Sequence, residues 1–390
     1  MKMRILLLAF TFAILTTQSQ EKNTVISETI TGNIYKPKTV KATNSLISQL
    51  SLPDGFEIKK FADGLGKPRM MALGADGSIY VSRRKGDVLL LKDDDGDGIV
   101  NSKETILTKE GAHGVAVKDG YFYLITVNDV FKAKIKNDGT IHPLDKIVEN
   151  LPDGGQHPNR TIKFGPDGML YISVGSTCNA CDETRDENAT MVRVDENGGN
   201  RMIFAKGLRN TIGFDWNPLT RDMYGMDHGI DWLGDEEQKE EMNLIEKDKN
   251  YGWPYIYADG KFNKADEPKK MTWAAYAAKC KEPAMLFDAH SAPMDLIFYK
   301  GDMFPEEYKN SAIVSFHGSW NRKNPSGYNL KWISFDNNKP LKSNDFVTGF
   351  LTANNTAKFG RPVGLLELND GSVLFSDDEN GIIYRITYTN

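Results

Sequence analysis

Residues 159–173 read NRTIKFGPDGMLYIS: a basic side chain, a short apolar run, a Gly-Pro-Asp-Gly turn and a second apolar run. Such a unit is a strand, a tight turn and a returning strand, because Asp-Gly supplies the backbone freedom that a two-strand connection needs. The same grammar recurs at 68–82 (PRMMALGADGSIYVS), 112–126 (AHGVAVKDGYFYLIT), 209–225 (RNTIGFDWNPLTRDMYG), 290–301 (HSAPMDLIFYKG) and 361–376 (RPVGLLELNDGSVLFS). A β-unit repeated about every 40 to 50 residues predicts an all-β, six-bladed β-propeller forming a single domain, with long loops on one face. Each unit is led by a cation or an imidazole: Arg69, His113, Arg160, Arg209, His290 and Arg361. If the first strands line a central channel, these residues meet at one mouth as a positive ring suited to a multiply charged anion.

The flanking strands alternate apolar and polar residues, as in Ser78–Ser82 and Met169–Ser173, which predicts half-buried antiparallel strands. The segment around Glu57–Ala62 is expected to complete the last blade, closing the ring so that no edge is free. Hydrophobic residues at 40% are enough for a large core. A net charge of −5 lacks the basic surplus of a nucleic-acid binder, so any cation cluster is local.

Residues 1–20 read as an export signal. Lys2 and Arg4 precede a short apolar run, Ile5 to Leu15, with small residues at Thr17 to Ser19, and that run is too short to span a bilayer. A periplasmic or secreted protein without stable membrane insertion is expected. Residues 21–51 read as a flexible lead-in and 52–390 as the propeller domain. Two stretches look longer than a hairpin: the acidic 231–249, and the aromatic, Lys-rich 255–287 with a short helix near Trp273–Ala278.

The cysteines follow from export. Cys178 and Cys181 form C-x-x-C; in an oxidising compartment this favours a local disulfide over zinc, which takes four ligands where no second pair exists. Cys280 is left over and expected to be buried. Residues 93–104 (DDDGDGIVNSKE) match a twelve-residue calcium loop, with Asp93, Asp95, Asp97, the Ile99 carbonyl and Glu104 as ligands. A strand-like run precedes it, so the expected role is a structural ion; a solvated acidic turn is the alternative.

His157, in GGQHPNR, precedes a channel strand and could act as a general base near neutral pH. Arg, Lys, Trp and His on the loops around 288–302 and 316–322 suit a flat, anionic, aromatic ligand, through bidentate carboxylate pairing and ring stacking.

Taken together, HPNRTIKFGPDGMLYISVGS, GLRN, NYGWP, DAHSAP, FYKGD, HGSWNR and GRPVG resemble the soluble quinoprotein sugar dehydrogenases, the glucose/sorbosone dehydrogenase family, over nearly the whole chain from about Phe56. The overall pattern is nearer the sorbosone/pyranose branch. The resemblance implies a six-bladed propeller holding pyrroloquinoline quinone (PQQ) and Ca2+, and oxidation of a sugar or sugar aldehyde. By the same resemblance, His157 would be the base, and Arg209 and Asn210 would lie against the quinone oxygens. Gly229 and Ile230 would offer carbonyls to an active-site calcium. Arg69, Lys300 and Arg322 would pair with the cofactor carboxylates, and His290 and Trp320 would flank its ring. The chain departs from the glucose enzymes at Ser176, where they carry an acid that orients the catalytic imidazole, at Gln156, at Ile230 and at Cys181.

No C-x-x-C-H haem-attachment motif follows Cys181, so an external electron acceptor is expected. Two other readings remain: a metal-dependent lactonase on the same propeller, which needs channel-facing carboxylates and Asn, and a non-catalytic sugar- or protein-binding propeller.

Overall fold

The computed structural model describes residues 29–389. The expected export signal at 1–20 lies outside the described residues. Residues 31–389 lie within one compact unit.

Among the described residues, six four-stranded antiparallel sheets make up the body. Their first strands are Pro68–Leu73, Val115–Lys118, Ile162–Phe164, Thr211–Trp216, Pro293–Phe298 and Pro362–Glu367. Successive first strands pack side by side, and the last meets the first; Ile162–Phe164 joins its successor through Leu170–Val174. The final sheet is completed by Phe56–Ala62, which pairs antiparallel with Ile382–Tyr388, so the two ends of the chain close the ring.

The half-buried alternation expected of the strands is not what forms. Ile79, Tyr80 and Val81 are all within 2% of full burial. Ile79 and Val81 pack with Ile383 of the sixth sheet, while Tyr80 packs with Phe122 of the second. Side chains at successive positions point to opposite faces. Each sheet is wedged between two others, so both faces need apolar residues. Six such clusters fill the six gaps.

The polar residue ending each second strand has a local cause. Four of the six first strands carry bulges, as at Pro68/Met71 and Pro362/Leu365, which leave backbone N–H groups without a ladder partner. Ser82, Ser173, Ser315 and Ser376 accept from the N–H groups of Met70, Thr161, Asp295 and Gly364 at 2.9–3.1 Å. These hydroxyls satisfy buried N–H groups at the bulges of three sheets and, in the third sheet, just before the start of Ile162–Phe164.

Both long stretches are more ordered than expected. Within 231–249, Glu240–Ile245 is the third strand of the fourth sheet. Within 255–287 lie a short hairpin (Ile256–Tyr257 with Lys261–Phe262), a helix at Trp273–Ala277, and the outer strand Met285–Phe287. In the expected lead-in, Lys38–Thr39 pairs in parallel with Ala357–Lys358, and Asn44–Ile47 is one helical turn capped by Thr43. Ala42, Ile47 and Leu50 join the core between the fifth and sixth sheets. No described helix is long and apolar enough to cross a membrane.

Candidate active site

The six leading residues stand at the N-terminal ends of the six first strands. Arg69 Nη1 donates to Asp378 Oδ2 at 2.8 Å, and Nη2 lies 3.4 Å from His113 Nε2. His113 Nδ1 meets the Arg160 carbonyl at 2.9 Å. A carbonyl only accepts, so Nδ1 carries the proton and Nε2 accepts from Arg69. His317 Nε2 donates to Asp378 Oδ1 at 2.8 Å, and Arg361 Nε donates to the His317 carbonyl at 3.0 Å. Contacts therefore run from sheet to sheet around one mouth.

These groups are buried. Burial pushes His113 down to about 3, helped by the Arg69 charge. Burial likewise lowers His317 to about 4. For Asp378, burial acts upward but is outweighed by His317 and Arg69, which hold the carboxyl far below the usual range. The centre is thus an ionised Asp378 with Arg69 as its counter-charge and two neutral imidazoles. Arg160 is not part of a ligand-facing ring. It is fully buried, and its guanidinium donates to the carbonyls of Pro152, Asp153 and His157 at 2.9–3.1 Å. It clamps the loop that carries His157.

That loop depends on its glycines. A Cβ on Gly155 would sit 2.1 Å from the Thr177 carbonyl oxygen, and Gly155 holds a φ of +45°. The close approach lets His157 Nδ1 reach the Ser176 carbonyl at 2.8 Å and the Ser176 hydroxyl at 2.9 Å. Nδ1 is again the protonated nitrogen. No described residue bonds Nε2, which keeps a bare lone pair. Ser176 thus orients the ring through oxygens that carry no charge. Burial, then the Arg209 charge, lowers His157 to about 3, so the imidazole is neutral across physiological pH. Gly175 lies between His157 and Asn210: a Cβ there would be 2.8 Å from His157 Cβ and 2.7 Å from Asn210 Oδ1.

Arg209 and Asn210 are set by Asp227, whose carboxylate accepts both backbone N–H groups at 2.8 and 2.7 Å. The Arg209 side chain is held by Asn179, through its carbonyl (2.9 Å to Nε) and its Oδ1 (2.8 Å to Nη2). Asn179 sits inside the Cys178–Cys181 loop, which is closed by a disulfide. The same Oδ1 accepts from Asp231 N at 2.9 Å. Cys178 and Ala180 pack on a small core of Ala189, Ile230 and Trp253. The stapled loop therefore ties Arg209 to the 229–231 turn.

In that turn the Gly229 N–H is taken by Glu240 at 2.9 Å and the Ile230 N–H by Gln238 at 2.8 Å. No described residue donates to either carbonyl. Two hard oxygens without a protein donor fit a calcium ion.

His290 uses both nitrogens: Nε2 donates to the Gly234 carbonyl at 2.7 Å and Nδ1 accepts from Asn321 at 3.1 Å. Trp320 meets Trp232 edge-to-face at 5.2 Å, with the Lys36 amine over its ring. Arg322 pairs with Glu236 at 2.7 Å. Arg69 Nε, Arg322 Nε and Asn321 Oδ1 are buried without partners. Two unpaired guanidinium N–H groups fit an anionic ligand at this mouth.

Lys300 is elsewhere. It follows the C-terminal end of Pro293–Phe298, about 20 Å along a six-residue strand from its start. It lies 3.9 Å from Asp215 in a cavity lined by Leu73, Val117, Phe164 and Glu367, the far ends of the first strands. The structure thus removes it from the set expected to pair with a cofactor. The Asp93, Asp95 and Asp97 carboxylates cluster within 4.8 Å, without Glu104. Glu104 sits in the strand Ser102–Thr108 opposite Leu90, and the Ile99 N–H bonds Asp97 at 2.8 Å. Cys280 is half-buried, and burial raises its thiol to about 11.

Asn179, Asp227, Asp378 and Glu240 were not singled out by sequence. Asp227 and Asp378 fall at or just past the end of a second strand, and that position was the available signal. The Asp227, Asp378 and Glu240 carboxylates are engaged by backbone N–H groups, Arg69 or His317.

A family model described as TrAA12-like matches residues 50–389. An uncharacterized protein of Borreliella burgdorferi is 30% identical over 368 residues, covering 89% of this chain and 93% of that protein. The pyrroloquinoline quinone-dependent pyranose dehydrogenase of Coprinopsis cinerea is 25% identical over 408 residues, covering 87% of this chain and 54% of that protein. Among solved structures, the calcium form of a Trichoderma reesei carbohydrate-active enzyme of family AA12 gives a TM-score of 0.76 at 23% identity, covering 87% of this chain and 97% of that one. The holo form of the Coprinopsis cinerea pyranose dehydrogenase PQQ domain gives 0.75 at 19% identity, with coverage of 87% and 97%. At such identities the structural likeness concerns the fold.

Proposed function

This chain belongs to the TrAA12-like family, among the quinoprotein sugar dehydrogenases, and from that premise we propose that it oxidises a sugar or sugar aldehyde with bound PQQ and Ca2+. The six sheets are read as the blades of one six-bladed propeller, with the mouth at the strand N-termini as its cofactor face. The observation that carries the reading is His157: a neutral imidazole, pinned through Nδ1, with a bare Nε2 beside the buried Arg209 charge.

When bound, PQQ supplies a two-electron hydride acceptor and calcium a Lewis acid. Arg69 and Arg322 have unpaired N–H groups for the carboxylates, and the Gly229 and Ile230 carbonyls suit the ion. His157 Nε2 takes the proton of the sugar hydroxyl, or of the aldehyde hydrate, as hydride leaves the carbon. Arg209 offers a fixed positive charge where negative charge develops, and its fixed geometry avoids reorganisation during the reaction. Electrons then pass to an external acceptor. A second calcium in the Asp93–Asp97 loop, without Glu104, would be structural. Export by residues 1–20 places the reaction in the periplasm or outside the cell.

The test is reconstitution with PQQ and calcium, followed by dye reduction with aldoses and sorbosone. Wild type is expected to turn over, and His157→Ala to lose roughly 100- to 10,000-fold while still binding cofactor by absorbance. A cofactor-loaded wild type that reduces no dye with any of these substrates, or a His157→Ala as active as wild type, would overturn the proposal.

A further inference from the structure

A cavity of about 370 Å3, in the size range of small-molecule sites, lies where the third sheet meets the 250–276 segment. The reaction proposed above makes no use of it. Its walls back onto the reacting residues. Glu183 accepts from Thr177 N at 3.0 Å and Thr177 Oγ1 at 2.7 Å, one residue beyond the Ser176 that orients His157. Gly207, two residues before Arg209, forms another part of the wall.

The lining has a definite chemistry. Asp182, Glu183 and Asp186 face Arg185, Lys206 and Lys269, so formal charges cancel, and Asp182 pairs with Lys269 at 2.5 Å. Such a cavity favours a neutral ligand. Trp253, Tyr255 and Tyr276 give it aromatic faces, the two tyrosines meeting edge-to-face at 4.9 Å. Asn188, 4% exposed, lines the wall with an Oδ1 that has no partner. Its Nδ2 points at the carbonyls of Asp153 and Gly175, 3.4 and 3.5 Å away, so turning the amide round would set oxygen against oxygen. A buried acceptor without a donor is costly to leave unsatisfied, and a ligand hydroxyl would satisfy it.

A neutral charge balance, flat apolar faces and an acceptor waiting for a hydroxyl describe a sugar ring. We propose that this cavity binds a neutral sugar unit. Its source is either the next residue of an oligosaccharide whose end is oxidised at His157, or a free monosaccharide. The oligosaccharide source rests on the proposed function; binding itself does not.

The experiment is calorimetric titration of the full, cofactor-free chain with glucose, maltose, cellobiose and maltotriose. Saturable binding is expected, with Kd raised at least tenfold in Tyr255→Ala and in Asn188→Ala. Thermal melting identifies a variant that has merely unfolded, and Tyr255→Ala, at a half-buried position, keeps the test valid if Asn188→Ala fails to fold. Disaccharides binding tenfold tighter than glucose, with Tyr255→Ala raising KM for a disaccharide more than for glucose in the loaded enzyme, identify the chain of a longer substrate. Equal affinities identify a monosaccharide site. No saturable binding of any of these sugars to wild type, or binding that Tyr255→Ala leaves unchanged, overturns the inference. Sugar binding without dye reduction would instead keep the inference and refute the proposed reaction.

Discussion

Asn179 grips Arg209 at two points, with its carbonyl 2.9 Å from Nε and its Oδ1 2.8 Å from Nη2, from inside a four-residue loop closed by Cys178 and Cys181. The staple limits what that loop can do, so the position of the guanidinium is set by a covalent ring. Hydrogen bonds to a charged group contribute about 1.5–3 kcal/mol each. Asn179→Ala is therefore expected to lower kcat by roughly 10- to 100-fold in dye-reduction assays, given about tenfold per 1.4 kcal/mol. Asn179→Asp keeps both oxygens for Arg209 but sets a charged oxygen against the Asp231 carbonyl in place of the donor, so it should recover part of the rate. Equal losses in the two variants would show a general loop defect, and an unchanged Asn179→Ala would mean Arg209 needs no such support.

Lys300 separates the two mouths. Cations that precede a first strand gather at one end, whereas Lys300 follows its strand and joins Asp215 at the other. Lys300→Ala is expected to leave PQQ affinity within about twofold, and stability within about 0.5 kcal/mol, since the pair is long and half exposed. Arg322→Ala is expected to weaken PQQ binding. Fluorescence titration of both variants decides the matter: a tenfold loss in Lys300→Ala would place that amine at the cofactor.

The repeats, their leading residues, the closing N-terminal strand and the disulfide could be read from sequence because each rests on local chemistry: Asp-Gly turns, apolar runs, a C-x-x-C pair. What could not be read rests on distant partners. Glu240 and Glu241 look solvated beside Asp235 and Glu236, yet both are buried, bonded to the N–H groups of Gly229, Ala292 and Ala258. Only the folded ring brings those donors together. The double-sided burial of Ile79–Val81 likewise depends on two other sheets. Lys300 follows an inner strand and so stands at the opposite mouth from the cations that precede one.

Two sets of buried groups make stability depend on pH with opposite signs. His113, ordinarily near 6.5, titrates at about 3 in the folded chain because of burial and the Arg69 charge. As pH falls from 6.5 to about 3 the unfolded chain binds a proton that the folded chain refuses, so stability drops by up to about 1.4 kcal/mol per pH unit. His317, lowered to about 4, adds to this acid limb. Glu241, ordinarily near 4.5, is raised to about 8 by burial and then by Asp227. Its contribution is complete below 4.5 and is lost as pH rises towards 8, again by up to about 1.4 kcal/mol per unit; Asp377, raised to about 7, adds to this alkaline limb. Between 4.5 and 6.5 the slopes oppose each other. Tm is therefore expected to be nearly flat in that interval and to fall on both sides. Glu241→Gln removes one carboxyl that must ionise, so its Tm should fall less steeply than wild type between pH 6.5 and 8, with the acid limb unchanged. Scanning calorimetry across pH 3 to 8 measures both limbs, and an alkaline limb equally steep in Glu241→Gln would rule out a neutral Glu241 carboxyl as one of its causes.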